Sequence, residues 1–451
     1  MPGPRLLRRR GCRSRHFAGA DRGPAARYAQ VLRRHAARKR RSGDCRDRFD
    51  RGRRNSTFER RPQGCATRTR RVRAEGARPA LKRTPVSRLN GWLAGVRVLD
   101  LSRYRPGPFA AMLLADMGAE VLKIEGPDGD DMQHLGPRDA AGQPIFYRAL
   151  NAGKKVRRMD LKNAAMRTKF LRLAESADVL LETFRPGVMA RLGVGYETLS
   201  KANPRLVYCA LSGYGANGPL ARAAGHDANY LALTGILFRN GRGTGAYFDP
   251  PLADDAGALF AVIAILGALR ERDRTERGCE IDIGLADAVW PLQSFQVADY
   301  GERGYSPGPE ETYLNDGAAW YRAYRTRDGH LVALGAAGGP FWKRFCEAAG
   351  RPEWISREAD PLPQRSLIAE LDRFFAGFDL EQCIARFEPA DCCFTPVLTL
   401  AEAIRSGQCQ ARQLVRRAPA GALQALFPAW IDGEPPGTRP APRSTQDGFE
   451  D

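Results

Sequence analysis

The sequence predicts an α/β protein with a parallel sheet in a large domain and a smaller α+β domain after it. Strand-like β-branched runs alternate with apolar-periodic helices between residues 93 and 215, and the pattern changes to an antiparallel hairpin beyond residue 311. The 451 residues, 43% of them apolar, are enough to bury two cores.

The charge is unevenly placed. Residues 1–90 hold 29 Lys and Arg against 6 Asp and Glu, whereas residues 91–451 hold 42 against 45, so the net +20 belongs to the first segment. Runs such as RRHAARKRRSG cannot form a core, and 1–90 reads as a basic disordered extension. It is upstream sequence from a misplaced start, an organelle-targeting extension or a nucleic-acid-binding arm, and it lacks the apolar run of a secretory signal. The near-neutral remainder excludes nucleic acid as a partner of the folded part.

GVRVLDLS is the first strand, PGP a turn, FAAMLLADMG an amphipathic helix and AEVLKIE a second strand, which together make a βαβ unit. MRTKFLRLAESADVLLETF adds a helix and a strand, and LVYCALSGYG a further strand ending in a Gly-rich turn. A parallel sheet of this kind gathers ligand groups at its carboxyl edge. The apolar run 256–269 is too short to span a bilayer and predicts a buried helix over 256–270. GCEIDIGL is then a strand and ADAVWPLQSFQVADY a helix, closing a large domain over 91–310. AAWYRAYRTRDGHLVALGA predicts a hairpin turning at Asp328-Gly329, inside a small domain over 311–400. Residues 401–451 are a return linker and a Pro-rich, extended tail. Ten cysteines without a C-x-x-C pair argue against a zinc site, any other metal centre and a disulfide framework, and make a reducing cytoplasm the expected location.

The first βα turn carries Arg103, Tyr104, Arg105 and PGP instead of Gly-x-Gly-x-x-Gly, which disfavours a nicotinamide dinucleotide even though the second strand ends in Glu125. Gly241, Gly243 and Gly245 form a Gly cluster with no strand before it. Arg103, Lys123, Lys154, Lys155, Arg157, Arg158, Arg185 and Arg191 recur at loops of the parallel half. Each alone reads as a solvated surface charge; grouped at one sheet edge they suit a ligand with several phosphates. His226 lies in a Gly-His-Asp turn, and 28 residues later Asp254 opens the apolar helix. A histidine and a carboxylate meeting in one pocket can move a proton on and off a carbon acid. The plainer reading makes His226 a structural hydrogen-bonding residue and Asp254 or Asp255 the helix N-cap, although capping and catalysis are compatible.

LAGVRVLDLSRYRPGPFAAMLLADMGAEVLKIEGPDGD, ADVLLETFRPGVMARLGVGYETL, NPRLVYCALSGYG and AGHDANYLALTG closely resemble the family III CoA-transferases, the group that also contains the alpha-methylacyl-CoA racemases. The resemblance runs from about residue 93 to the RPAPR segment near 443. It implies a Rossmann-like large domain, an interlocked homodimer, and coenzyme A or an acyl-CoA thioester as substrate with no permanently bound cofactor and no membrane partner. It places Thr183, Phe184, Arg185 and Arg191 at the CoA moiety, with Thr183 where the family has Asn, and assigns Lys123 and Lys154 to the nucleotide region; the loop cation Arg103 is expected to bind the cofactor with them.

Two chemistries lie within the resemblance. In transfer, an Asp attacks the thioester and forms a mixed anhydride; in racemisation, a His and an Asp flank the α-carbon and exchange its proton between faces. Asp254 matches the acid of both, but its neighbour Asp255 sits where the family is apolar or aromatic, and the reacting acid is one of the two. His226 in GHDANY looks like the second base of the racemases. Against this, LVALGAAGGPFW carries Gly338 and Gly339 where racemases have a Glu, and a Gly-rich loop there suits the cover of a transferase site. The expectation leans to racemisation of a 2-methylacyl-CoA by His226 and Asp254. The alternatives are CoA transfer between carboxylic acids with Asp254 as nucleophile and, in a different class, nucleic-acid binding through the basic arm. Tyr321, Phe341 and Trp342 imply that the acyl group is partly hydrophobic.

Overall fold

The computed structural model describes residues 88–240, 246–446 and 448–449. Nearly all of the basic extension, together with Gly241, Gly243 and Gly245, lies outside the described residues. Leu89, placed in that extension by the sequence, is buried in the main core.

The βαβ unit forms where the pattern puts it, as β1 (Arg97–Leu101), α1 (Pro106–Asp116) and β2 (Glu120–Glu125). Pro106 opens α1, where its missing N–H leaves no bond unmade. The chain continues through α2 (Ile145–Asn151), β3 (Lys155–Arg158), α3 (Ala164–Glu175), β4 (Val179–Glu182), α4 (Tyr196–Ala202) and β5 (Val207–Ser212). Then follow α5 (Asp227–Leu233), α6 (Leu252–Thr275), β6 (Glu280–Gly284) and α7 (Ser294–Arg303).

The helix expected across ADAVWPLQSFQVADY is broken. Two short turns, Asp287–Val289 and Pro291–Gln293, precede α7, because Pro291 has no N–H to give and its ring clashes with the preceding turn. Conversely, α6 is longer than expected. By length and composition it could cross a membrane, yet Ala253, Ala258, Ala261 and Ile265 are fully buried in the main core.

The hairpin is β7 (Tyr321–Arg325) and β8 (Leu331–Gly335), turning at Asp328 and Gly329. It is followed by α8 (Gly339–Ala349), α9 (Arg365–Phe375), α10 (Leu380–Phe387) and β9 (Phe394–Pro396), which pairs antiparallel with β8. These elements share their own core, in which Phe345 stacks on Phe387 at 5.1 Å between ring centroids. Leu398–Gly407 belongs to a separate compact unit, in which α11 (Leu400–Arg405) is capped by Thr399 and Glu402. The last strands are β10 (Val415–Arg417), its antiparallel partner β11 (Leu423–Ala425), and β12 (Arg443–Ser444).

The main sheet runs β12-β3-β2-β1-β4-β5-β6, and every neighbouring pair is parallel. Val98, Leu99 and Leu101 of β1 are all buried, as strands covered on both faces require. The Pro-rich tail is extended but pinned: β12 pairs with β3, Phe449 is buried, and Arg439 grips Asp116 through two bonds of 2.6 Å.

Candidate active site

At the carboxyl ends of β1, β2 and β3 lies a cavity of about 260 Å³, walled by Ser102, Arg103, Lys123, Gly126, Met159 and Phe184 among others. This is the edge where a doubly wound sheet takes its ligand. The cations expected to meet phosphate there divide into two groups.

Lys154 is a correction. Its side chain is fully buried, and the ammonium is used up by Asp100 at 2.8 Å, the Pro108 carbonyl at 2.9 Å and Asn151 at 3.0 Å. Burial pulls its pKa down to about 8, against the attraction of Asp100. It holds β1 to the segment before β3 and has no donor left for a ligand. Lys123 does wall the cavity, but it too is buried, paired with Asp130 at 2.8 Å and bonded to the Ser102 carbonyl at 2.7 Å. Arg103 also walls the cavity, with its guanidinium on Asp131 at 2.7 Å.

The Thr183 hydroxyl accepts the Arg103 N–H at 2.8 Å, so this side chain ties the turn after β1 to the turn after β4. The two turns approach so closely that a Cβ on Gly107 would lie 2.1 Å from the Ser102 Cβ and 2.7 Å from the Thr183 Cγ2. The half-buried Phe184 offers the cavity its ring, while its N–H donates to Glu182 at 2.6 Å. Burial raises the Glu182 carboxyl to about 7. Arg185 and Arg191 do not wall the cavity; they are exposed and carry no ion pair among the described residues, which leaves both open to an anion.

The structure separates the two adjacent acids of α6. Asp255 is held by Arg105 in a two-bond clamp of 2.6 and 2.8 Å. The Asp254 carboxylate has no hydrogen bond or ion pair among the described residues. Burial, with Asp227 and Asp255 adding repulsion and Arg105 opposing, raises its pKa to about 7. Neither acid caps the helix. That task falls to Asp227, whose Oδ1 accepts the N–H groups of Ala253 at 2.7 Å and Asp254 at 3.2 Å. The sequence reading passed over Asp227, although it sits beside His226, because a cap supplied from another helix leaves no local spacing to detect.

His226 occupies the N-cap position of α5, its own N–H donating to Asn229 Oδ1 at 3.0 Å. Its side chain is exposed, and the Tyr104 ring stands edge-on to it with centroids 6.3 Å apart. Because Asp227 follows His226 and also caps α6, the two expected bases sit at joined helix N-termini. Tyr230 stands in the same group: burial raises its phenol, Asp254 and Asp227 add to that, and Arg185 opposes it. At the start of α8, Gly338 takes a φ of +98°, which favours glycine. The nearest carboxylate oxygen there is Glu358 Oε2, 3.8 Å from where a Gly339 Cβ would stand.

The arrangement sets a cavity at the carboxyl edge of the sheet, two exposed arginines after β4, and an unpartnered acid and a histidine at joined helix N-termini. The sequence profile of CoA-transferase family III matches residues 93–448. The human alpha-methylacyl-CoA racemase is 36% identical over 322 residues, covering 69% of this chain and 79% of that protein. The acetyl-CoA:oxalate CoA-transferase of Acetobacter aceti is 30% identical over 384 residues, covering 81% and 96%. A crystal structure of a CAIB/BAIF family protein from Brucella suis superposes with a TM-score of 0.70 at 27% identity, covering 78% of this chain and 96% of that one. The chain is an enzyme of CoA-transferase family III, whose members act on CoA thioesters.

Proposed function

We propose that the enzyme interconverts the epimers of a 2-methylacyl-CoA, with His226 and Asp254 as the two bases. The observation that carries this reading is the state of Asp254: clear of the Arg105 clamp that takes Asp255, and raised to about 7, it can both accept and return a proton near neutrality. One base removes the α-proton, the C–H electron pair moves into the thioester carbonyl to give an enolate, and the other base protonates the opposite face. Arg185 and Arg191 hold the CoA phosphates, and the cavity at β1 to β3 takes the nucleoside end. Similarity to the human racemase supports the reading. Leu259, Ile263 and Phe295, left exposed on α6 and α7, suit burial against a second, interlocked copy.

The alternative is CoA transfer through an Asp254 acyl anhydride, and the glycine-requiring backbone at Gly338 favours it as a cover loop. Incubation with a 2-methylacyl-CoA in deuterated water decides. Racemisation washes deuterium into the α-position with inversion, and His226→Ala abolishes the inversion. Absence of wash-in, with CoA appearing on an added acid and an acyl enzyme trapped by hydroxylamine, establishes the transferase instead.

A further inference from the structure

We infer that Tyr104 is a positioning residue for His226, its ring fixing the imidazole for one of the two proton transfers. The inference rests on the two-base reading above. Tyr104 adopts a φ of +62°, a left-handed conformation that a residue with a bulky side chain rarely takes. Core burial does not account for it, because the residue is 43% exposed. The neighbouring attachments do. The Arg103 N–H is bound by Thr183 at 2.8 Å, the Arg103 guanidinium by Asp131 at 2.7 Å, and Arg105 by Asp255 at 2.6 and 2.8 Å. Tyr104 is thus stretched between two anchored arginines, with burial first and then Asp131 raising its phenol.

The result of this constraint is the edge-on contact with His226, centroids 6.3 Å apart and planes at 80°. An exposed imidazole at a helix N-cap is free to turn about its side-chain bonds, and an aromatic wall removes part of that freedom. Backbone strain maintained by its surroundings is characteristic of functional sites. Here the same turn also clamps Asp255, the neighbour of Asp254, so one three-residue segment touches the surroundings of both reacting groups.

The test uses the exchange pattern in deuterated water. Inversion in either direction needs both bases, but exchange with retention, on the face served by Asp254, needs Asp254 alone. Tyr104→Ala should slow inversion by roughly tenfold or more while retentive exchange on the Asp254 face stays within about twofold. Tyr104→Phe, which keeps the ring and loses only the hydroxyl, should restore most of the inversion. A second reading is independent of turnover: carbethoxylation of His226 by diethyl pyrocarbonate, followed by peptide mass spectrometry on the full chain, should quicken at least about twofold in Tyr104→Ala. Unchanged inversion, or a parallel fall in inversion and retentive exchange, overturns the inference. Wild-type protein that shows no inversion at all overturns the two-base reading, and unaltered His226 labelling in Tyr104→Ala then overturns the contact as well.

Discussion

Asp254→Asn should abolish inversion at the α-carbon and wash-in on the face that Asp254 serves, and at the same time make the protein harder to unfold, increasingly so as the pH rises. The folded carboxyl is raised from 3.8 to about 7. Folding therefore favours its protonated form. The penalty is absent below the ordinary carboxylate value, grows as pH rises between the two values, and is complete above about 7. At 1.36 kcal/mol per pH unit the full penalty is about 4 kcal/mol; roughly 1.5 kcal/mol of it is present at pH 5 and nearly all at pH 8. Asparagine carries no such penalty, so its stability advantage should widen by roughly 2–3 kcal/mol from pH 5 to pH 8. Urea unfolding of both proteins at the two pH values measures this. A gap that stays constant with pH would show that Asp254 ionises like any surface aspartate, and the argument for a base poised near neutrality would go with it.

Lys154→Ala leaves Asp100 buried without its partner and should lower unfolding stability by about 3–5 kcal/mol, while CoA affinity of the remaining folded protein, read by calorimetry, stays within about twofold. Arg185→Ala and Arg191→Ala should do the reverse: stability held, CoA binding weakened by about 1.5–3 kcal/mol each, and a flatter salt dependence of that binding. Phe449→Ala should cost about 3 kcal/mol and speed amide hydrogen exchange along β3, since it removes a buried ring beside the strand that seals that edge.

The βαβ run, β4 to β6 and the hairpin could be read from the sequence because each carries its own period and turn chemistry. β3 could not: KVRR lacks the apolar alternation of a strand, and it becomes one because β2 and β12 supply partners on both sides. The choice between Asp254 and Asp255 is invisible to spacing, since both lie in one helical turn. What separates the two is Arg105, which takes Asp255 from 150 residues away in sequence. Lys154 misled for a related reason. A loop cation looks the same in sequence whether it faces solvent or lies buried on an aspartate, and only the fold reveals which. Asp227 shows the converse, a capping carboxylate hidden because its bond crosses between helices.

The seal on the sheet edge has a price in timing. The Lys155 ammonium meets the Phe449 carbonyl across 294 residues, and Arg439 meets Asp116 across 323. At translation speeds of about 5–20 residues per second, β3 waits roughly 15–60 s on the ribosome before its outer neighbour exists. Through that interval its free backbone groups are a template for a wrong strand, and lysine and arginine along such an edge are the usual deterrent to mispairing. The cluster of Lys155, Arg157 and Arg158 is well placed to guard the nascent chain until its own tail arrives.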